Sequence, residues 1–332
     1  MENVRHIIGA DLSKRKIDLV IHPIKKHLCI ENQKDGFKEM ISWLKDNKVK
    51  SSEILIVMEH TGLYGFCFEH FLHQKQIRFC KVSALDIKLS MGVSRGKSDK
   101  IDAARIAQYG ANKRNHLTVQ TQTSKALERL KMLNTSRDKL VRTRAGLKTS
   151  AEEFRNIGMS ERDMALRAQL QVIKSLDIQI KSLEKEIEDV IRKEKELNTN
   201  YDLLKSIKGV GPVLATNAII KTHNFERFPN SRKFACFCGI APFEHTSGSS
   251  VKGKTRVNHL ADKEMKTLLD LAAKSAITCD PELRAYYQKR ITNGKSKMST
   301  INIVRNKIVG RIFAVINRQS PYREDYSRIA LN

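Results

Sequence analysis

The sequence predicts an α/β domain at the N-terminus, followed by a pair of long helices and a mostly helical C-terminal domain. Apolar runs of strand length alternate with helical periodicity in the first part of the chain. A long segment almost without helix breakers follows, and glycine, proline and serine then interrupt the remaining helical signals. We therefore divide the 332 residues into three predicted domains, 1–112, 113–198 and 199–332.

The first predicted domain has a distinctive order of elements. Its strands and helices are predicted at His6–Ala10, Ile17–Ile21, Leu28–Ile30, Gly36–Asn47 (helix), Ile54–Met58, Leu63–Gln74 (helix), Ile77–Val82 and from Asp99 onward (helix). Three consecutive strands, followed by alternating helices and strands, are the order of a ribonuclease-H-like fold.

The second predicted domain has the periodicity of a coiled coil. Leu133, Leu140 and Leu147 recur every seven residues. A second set alternates spacings of three and four residues: Ile173, Leu176, Ile180, Leu183, Ile187 and Val190. Gly158 interrupts the pattern, so we expect an antiparallel helical hairpin that turns near this residue. Ten Lys or Arg and only two acids lie between residues 113 and 148, which predicts a solvated cationic face on the first arm.

The composition indicates a nucleic-acid partner. The chain has 61 Lys and Arg against 36 Asp and Glu, a formal charge of +25. Such an excess favours a polyanion, and no apolar stretch approaches the ~20 residues of a membrane span. The polar start also lacks a signal-peptide core, so we expect a cytoplasmic protein without membrane contact. Six scattered cysteines are predicted to be reduced thiols.

Four carboxylates are the strongest candidates for chemistry. Asp11 and Glu59 each follow a predicted strand, and Asp99 and Asp102 share one face of a predicted helix. Taken singly, Asp11 could begin a turn and Asp99 could cap a helix. Jointly they predict a site for Mg²⁺, or alternatively Mn²⁺, because converging carboxylates repel one another unless cations lie between them.

A second candidate is Ser247, which is followed by Gly248 in a basic-flanked loop. Glycine allows close approach to a phosphate, so Ser247 could serve as a nucleophile, with His245 as a base. The alternative is a flexible polar turn, and the stretch by itself favours that interpretation. His60 and His259 lie near the proposed sites without metal-ligand spacing.

The stretch Gly209-Val210-Gly211-Pro212 has two equally good interpretations. It is typical of a helix-hairpin-helix turn, whose backbone amides bind a phosphate. It is equally typical of a glycine that ends one helix and a proline that begins the next.

These residues together resemble the transposases of the bacterial insertion-sequence family one hundred and ten, relatives of the Piv and MooV DNA invertases. The resemblance covers nearly the whole chain. It is carried by the segments Gly9–Lys14, Met58–Tyr64, Lys97–Ala103, Gly209–Pro212 and Gly239–Gly248.

The resemblance implies a RuvC-like domain with an Asp-Glu-Asp-Asp site at Asp11, Glu59, Asp99 and Asp102, and a C-terminal transposase domain with its serine nucleophile at Ser247. It also implies a tetramer and a non-coding bridge RNA that pairs with donor and target DNA. Many relatives have Ser-Gly-Gly-Lys where this chain has Ser-Gly-Ser-Ser, so Ser249 and Ser250 are alternative nucleophiles.

We therefore predict a bridge-RNA-guided DNA recombinase in which Mg²⁺ assists Ser247 in forming a covalent phosphoserine intermediate. The alternative prediction is a metal-dependent RuvC-like endonuclease of the junction-resolvase type. A third is a non-catalytic nucleic-acid-binding protein whose acids are structural.

Overall fold

The computed structural model describes residues 3–60, 62–90, 92, 98–122, 124–247, 251–258 and 260–323. It divides into two compact units, Met1–Gln122 and Thr123–Asn332. The chain is thus a mixed α/β unit followed by a mainly helical one, which confirms the predicted fold class at this level.

The first unit is built on a five-stranded mixed sheet. Its strands are β1 (His6–Leu12), β2 (Lys16–His22), β3 (Lys26–Glu31), β4 (Ile54–Glu59) and β5 (Phe79–Val82). They lie in the order β3-β2-β1-β4-β5. The pairs β1–β2 and β2–β3 are antiparallel, whereas β1–β4 and β4–β5 are parallel. The three-strand meander and the buried central strand β4 agree with the sequence prediction.

Helices cover both faces of this sheet. They are α1 (Lys34–Asp46), α2 (Phe66–Gln74), α3 (Ala84–Ser90) and α4 (Asp99–Asn112). Ile8 and Ala10 of β1 belong to one core with residues of α1 and α2, where the rings of Phe37 and Phe68 lie 5.3 Å apart. Ile7 belongs to a second core with Ile106 of α4. Successive side chains of β1 thus point to opposite faces, and odd-numbered positions face α4.

The second unit begins with a helical hairpin, α5 (Lys125–Asn156) and α6 (Met164–Lys193). Gly158 lies in the connection with a positive φ of 84°, where the sequence predicts the turn. Arginines of α5 pair with acids of α6, in the ion pairs Arg129–Glu186, Arg137–Glu184 and Arg144–Asp177. The partner numbers fall as the arginine numbers rise, so the two helices are antiparallel.

These ion pairs change the predicted character of the first arm. The sequence predicts a solvated cationic face, but several of its guanidinium groups are neutralised by the second arm. The exposed lysines Lys139 and Lys148 remain on α5.

The rest of the second unit consists of α7 (Lys195–Lys205), α8 (Pro212–Thr222), α9 (Ser231–Phe237), β6 (Pro242–Ser247), β7 (Val251–Val257), α10 (Lys263–Cys279), α11 (Pro281–Thr292) and α12 (Lys297–Arg318). Strands β6 and β7 form an antiparallel ribbon where the sequence predicts a loop. Its alternation of polar and apolar residues is short and charged, which obscured the strand signal. Among the described helices, none has the length and apolarity needed to cross a membrane.

Gly209 and Pro212 connect α7 to α8. Gly209 has a φ of 90°, and a Cβ there would lie 2.7 Å from the backbone oxygen of Ala272 in α10. Gly211 is the N-cap of α8 and Pro212 is its first residue. Pro212 thus begins α8, as the second interpretation predicts. Gly209 does not end α7, whose C-cap is Ser206, and lies instead in a turn closed by the hydrogen bond from the N–H of Val210 to the oxygen of Ile207.

Candidate functional site

Asp11 and Glu59 lie side by side on neighbouring strands. Strands β1 and β4 are parallel, and Ala10 is paired with Met58. The next residues are Asp11 on β1 and Glu59 on β4, so both carboxylates lie at the same level of the sheet. Both side chains are partly buried.

Helix α4 brings the other two acids to this edge. Its N-cap is Ser98, whose hydroxyl accepts a hydrogen bond 3.3 Å long from the backbone N–H of Ile101. Asp99 and Asp102 occupy the first turn, where the positive end of the helix dipole favours carboxylates. The alternative interpretation of Asp99 as an N-cap is wrong, because Ser98 has that role.

Gly9 lets α4 approach the sheet closely. A Cβ at residue 9 would overlap the backbone oxygen of Ala103 and the backbone nitrogen of Ala107. Since Asp102 precedes Ala103, the same contact that requires glycine also fixes the start of α4 against β1. Backbone contact therefore positions Asp99 and Asp102 on the Asp11 face of the sheet.

The charges of the four carboxylates influence one another. The pKa of Asp11 is raised to about 6, first by partial burial and then by the charges of Glu59, Asp102, Asp99 and Asp18, in that order. The pKa of Glu59 is also raised, first by burial and then by Asp102. The predicted acids thus repel one another in the fold, as expected of a site that is built for a cation.

The four carboxylates do not converge as the ligands of a bound metal ion do. In the part of the chain that the structure describes, no three Asp, Glu, His or Cys side chains are arranged to hold a metal ion. Asp102 instead forms an ion pair with Arg105, its Oδ1 2.9 Å from Nη1.

A fifth acid, Asp18, adjoins the site and was not predicted from the sequence. Asp18 lies directly opposite Asp11 in the β1–β2 pairing, is 7% exposed, and has its Oδ1 2.6 Å from Nε2 of His27. The Sγ of Cys29 lies 3.7 Å from its other oxygen. The available signal was an acid in the otherwise apolar strand Ile17–Ile21, since an acid is seldom buried there unless it has a partner.

Ser247, the predicted nucleophile, belongs to the second unit. It is the last residue of β6 and is paired in register with Val251 of β7. Ser249 and Ser250 lie outside the described residues, as does His259. The structure therefore groups the four acids in the first unit, while Ser247 belongs to a different element of a different unit.

Two models of transposase families match the chain, the first across the boundary between the two units and the second within the second unit. A transposase model named for its DEDD residues and for IS110 matches residues 8–154. A second model, described as Transposase IS116/IS110/IS902 family, matches residues 201–288.

Full-length relatives give the same result. The chain is 26% identical over 321 residues to the pilin gene-inverting proteins of Moraxella bovis and Moraxella lacunata, covering 95% of this chain and 97% of each relative. It is 25% identical over 114 residues to the uncharacterized 43.6 kDa protein of insertion element IS110 from Streptomyces coelicolor, covering 34% of this chain and 28% of that protein.

The DEDD match contradicts one prediction. It groups the N-terminal region with transposases that are defined by four acidic residues, and this conflicts with a serine recombinase that forms a phosphoserine intermediate. The alternative of a RuvC-like, metal-dependent enzyme agrees better with the match. The protein is an enzyme that acts on DNA in recombination or transposition. The chain belongs to the IS110 family of transposases and DNA invertases.

Proposed function

We propose that the protein is a RuvC-like, metal-dependent DNA endonuclease whose Asp11, Glu59, Asp99 and Asp102 cut phosphodiester bonds during recombination. The observation that supports this proposal is geometric: Asp11 and Glu59 lie on adjacent parallel strands, and Asp99 and Asp102 lie in the first turn of the helix that packs on β1. The pKa of Asp11 is raised by burial and then by the charges of the other acids, which agrees with this grouping. The strand order β3-β2-β1-β4-β5, with its antiparallel meander and parallel remainder, is consistent with a RuvC-like domain.

The four residues fit a divalent metal. They offer only carboxylate oxygens, which are the hard ligands that Mg²⁺ and Mn²⁺ prefer. Their mutual repulsion is the property that a bound cation would relieve. When bound, such ions would polarise the scissile phosphate and lower the pKa of the attacking water.

The residues around the acids have separable roles. Asp11 and Glu59 are held on adjacent strands of the sheet, so they form the less mobile half of the site. Asp99 and Asp102 are held by the first turn of α4, and Arg105 partly neutralises Asp102. Arg105 also places a guanidinium beside the acids, where it could contact a DNA phosphate.

Cleavage of branched and supercoiled DNA by the purified protein tests this proposal. The wild type should release free DNA ends in Mg²⁺ or Mn²⁺. Asp11→Asn should lower the rate by about 100-fold or more, because it changes a proposed ligand itself and even the hydrogen-bond partners of metal ligands are worth roughly 10–100-fold. Asp35→Asn is the matched control, since Asp35 is exposed on α1 and pairs with Lys38. A covalent protein–DNA adduct, or equal cleavage by Asp11→Asn, would contradict the proposal.

The predicted partners beyond DNA belong to the same proposal. We propose that a non-coding bridge RNA supplies sequence recognition and that the protein works as a tetramer on donor and target DNA. The support for a nucleic-acid partner is the formal charge of +25, because Lys and Arg bind nucleic acids by neutralising their phosphates. Sequencing of nuclease-protected RNA from the purified protein tests the first part, and light scattering tests the second. Absence of a non-coding RNA bound to the purified protein would contradict the proposed RNA guide.

A further inference from the structure

The junction between α11 and α12 concentrates basic side chains that lack acidic partners. Lys289 and Arg290 lie in the last turn of α11, Lys295 in the connection, and Lys297 at the start of α12. The three lysines are exposed. No acid occurs between Leu283 and Arg323 in the sequence, and within the described residues none of these four cations has an ion pair.

Other cations of the same helices are used internally. Arg305 pairs with Asp270, and Arg311 pairs with Asp280 at 2.5 Å and with Glu282 at 2.7 Å. The Nζ of Lys307 lies 4.6 Å from the centre of the Tyr286 ring. The available positive charge is thus at one end of the α11–α12 pair.

Backbone hydrogen bonds fix the turn between α11 and α12. The N–H of Gly294 donates to the oxygen of Ile291, and the N–H of Lys295 donates to that of Arg290, at 2.9 and 3.1 Å. With a φ of 75° at Gly294, this is a Schellman motif. Ser296 then caps α12, so Lys295 and Lys297 flank the positive end of a 22-residue helix.

Arg290 adds an unsatisfied donor. Its Nε is buried and has no hydrogen-bond partner among the described residues. A buried donor without a partner is rare in folded proteins and is usually satisfied by water or by a ligand. Arg290 is partly buried, and its neighbours in the sequence Lys289, Lys295 and Lys297 are exposed, so an anion at the junction would meet several positive charges.

We propose that the α11–α12 junction, defined by Lys289, Arg290, Lys295 and Lys297, binds the phosphate backbone of a nucleic acid. Several cations at one helix junction match phosphates that follow one another along a strand. Lysines act as point charges, so the contact anchors the backbone without reading bases. This surface belongs to the second unit, and the inference rests on the nucleic-acid partner that is proposed above.

Salt-dependent binding by the full-length protein tests the proposal. The variant is Lys295→Gln/Lys297→Gln, and the probes are a labelled DNA duplex and a single-stranded RNA in the absence of divalent metal. Loss of two phosphate contacts should lower the magnitude of the slope of log K against log salt by about 2 for the duplex and weaken binding roughly tenfold.

The matched control is Lys193→Gln/Lys195→Gln. These exposed lysines have the same spacing at the junction of α6 and α7, so both variants lower the formal charge equally. A loss that is specific to the first variant supports the proposal, with the duplex and RNA probes identifying which nucleic acid is bound. Equal slopes and affinities for the two variants, with both folded by circular dichroism, would overturn it.

Discussion

At the scale of single residues, Asp11 is the most informative side chain of the first unit. It is the second-last residue of β1, is partly buried and lies near three other acids, so its charged form is disfavoured by the fold. A structural carboxylate usually has the opposite environment, with hydrogen bonds or cations that favour its charge, as Asp280 has from Leu283 and Arg311. This contrast distinguishes Asp11, whose charged form the fold disfavours, from Asp280, whose charged form the fold favours.

The raised pKa of Asp11 predicts a specific pH dependence of stability. Its pKa is about 6 in the fold and 3.8 in the unfolded chain, so the fold binds more protons between these values. In the absence of metal, this residue should therefore make the free energy of unfolding fall as pH rises from about 4 to about 6. Because the side chain is partly exposed, we expect about 1 kcal/mol rather than the full value of the shift.

Urea denaturation across this pH range measures the effect. Asp11→Asn should remove this contribution to the slope, and Mg²⁺ should stabilise the wild type above pH 6 more than the variant. Asp35→Asn should keep the wild-type slope, since the pKa of the exposed Asp35 is lowered by Lys38. A wild-type slope in Asp11→Asn would show that repulsion at residue 11 is not its cause.

Residue-level prediction from the sequence succeeded for the spacing of the acids and failed for their neighbours. Strand ends and helix periodicity indicated where Asp11, Glu59 and Asp102 would lie. The Asp18–His27 pair was missed because it depends on the β2–β3 register, which brings together residues nine apart. Side-chain pairing between strands leaves little periodic signal in a single sequence.

At the scale of elements, the contact between β1 and α4 is decisive for the site. Gly9→Ala should destabilise the first unit by about 1–3 kcal/mol, because the new methyl group would overlap the backbone of α4. DNA cleavage should fall more than stability explains, since α4 carries Asp99 and Asp102. The measurements are urea unfolding and the cleavage rate under conditions where the variant is folded.

Gly146→Ala is the control for this substitution. Gly146 lies inside α5 with open space where a Cβ would be placed, so alanine should stabilise the helix by up to about 1 kcal/mol. Neutral behaviour of Gly9→Ala in both measurements would contradict the proposed role of the close contact.

The helices illustrate why element boundaries were easier to predict than surfaces. Periodicity located the hairpin arms and their turn near Gly158, but it could not show that Arg137 and Arg144 face acids of the second arm. Whether a cation is free depends on which helix lies opposite it, and that is a tertiary property. The β6–β7 ribbon was missed for a related reason, because its strands pair only with each other.

At the scale of the whole molecule, the chain consists of two compact units with separate cores. We expect a fragment of residues 1–122 to fold by itself with one cooperative thermal transition, because its sheet is covered on both faces. A fragment of residues 1–90 is the control. It lacks α4, so it exposes the side of the sheet that includes Ile7 and Val57 and should not unfold cooperatively. Circular dichroism would distinguish the two, and a non-cooperative 1–122 fragment would contradict separate folding.

The antiparallel hairpin has a consequence for the way in which this basic protein meets a polyanion. Its arginines at 129, 137 and 144 are already held by acids of the neighbouring helix. The exposed cations of α5 outside these three ion pairs include Lys125, Lys131, Lys139 and Lys148 and the guanidinium of Arg142. A strand lying along this helix would thus meet mainly flexible ammonium groups, which allow it to shift lengthwise with fewer directional bonds to break than a row of guanidinium groups would impose.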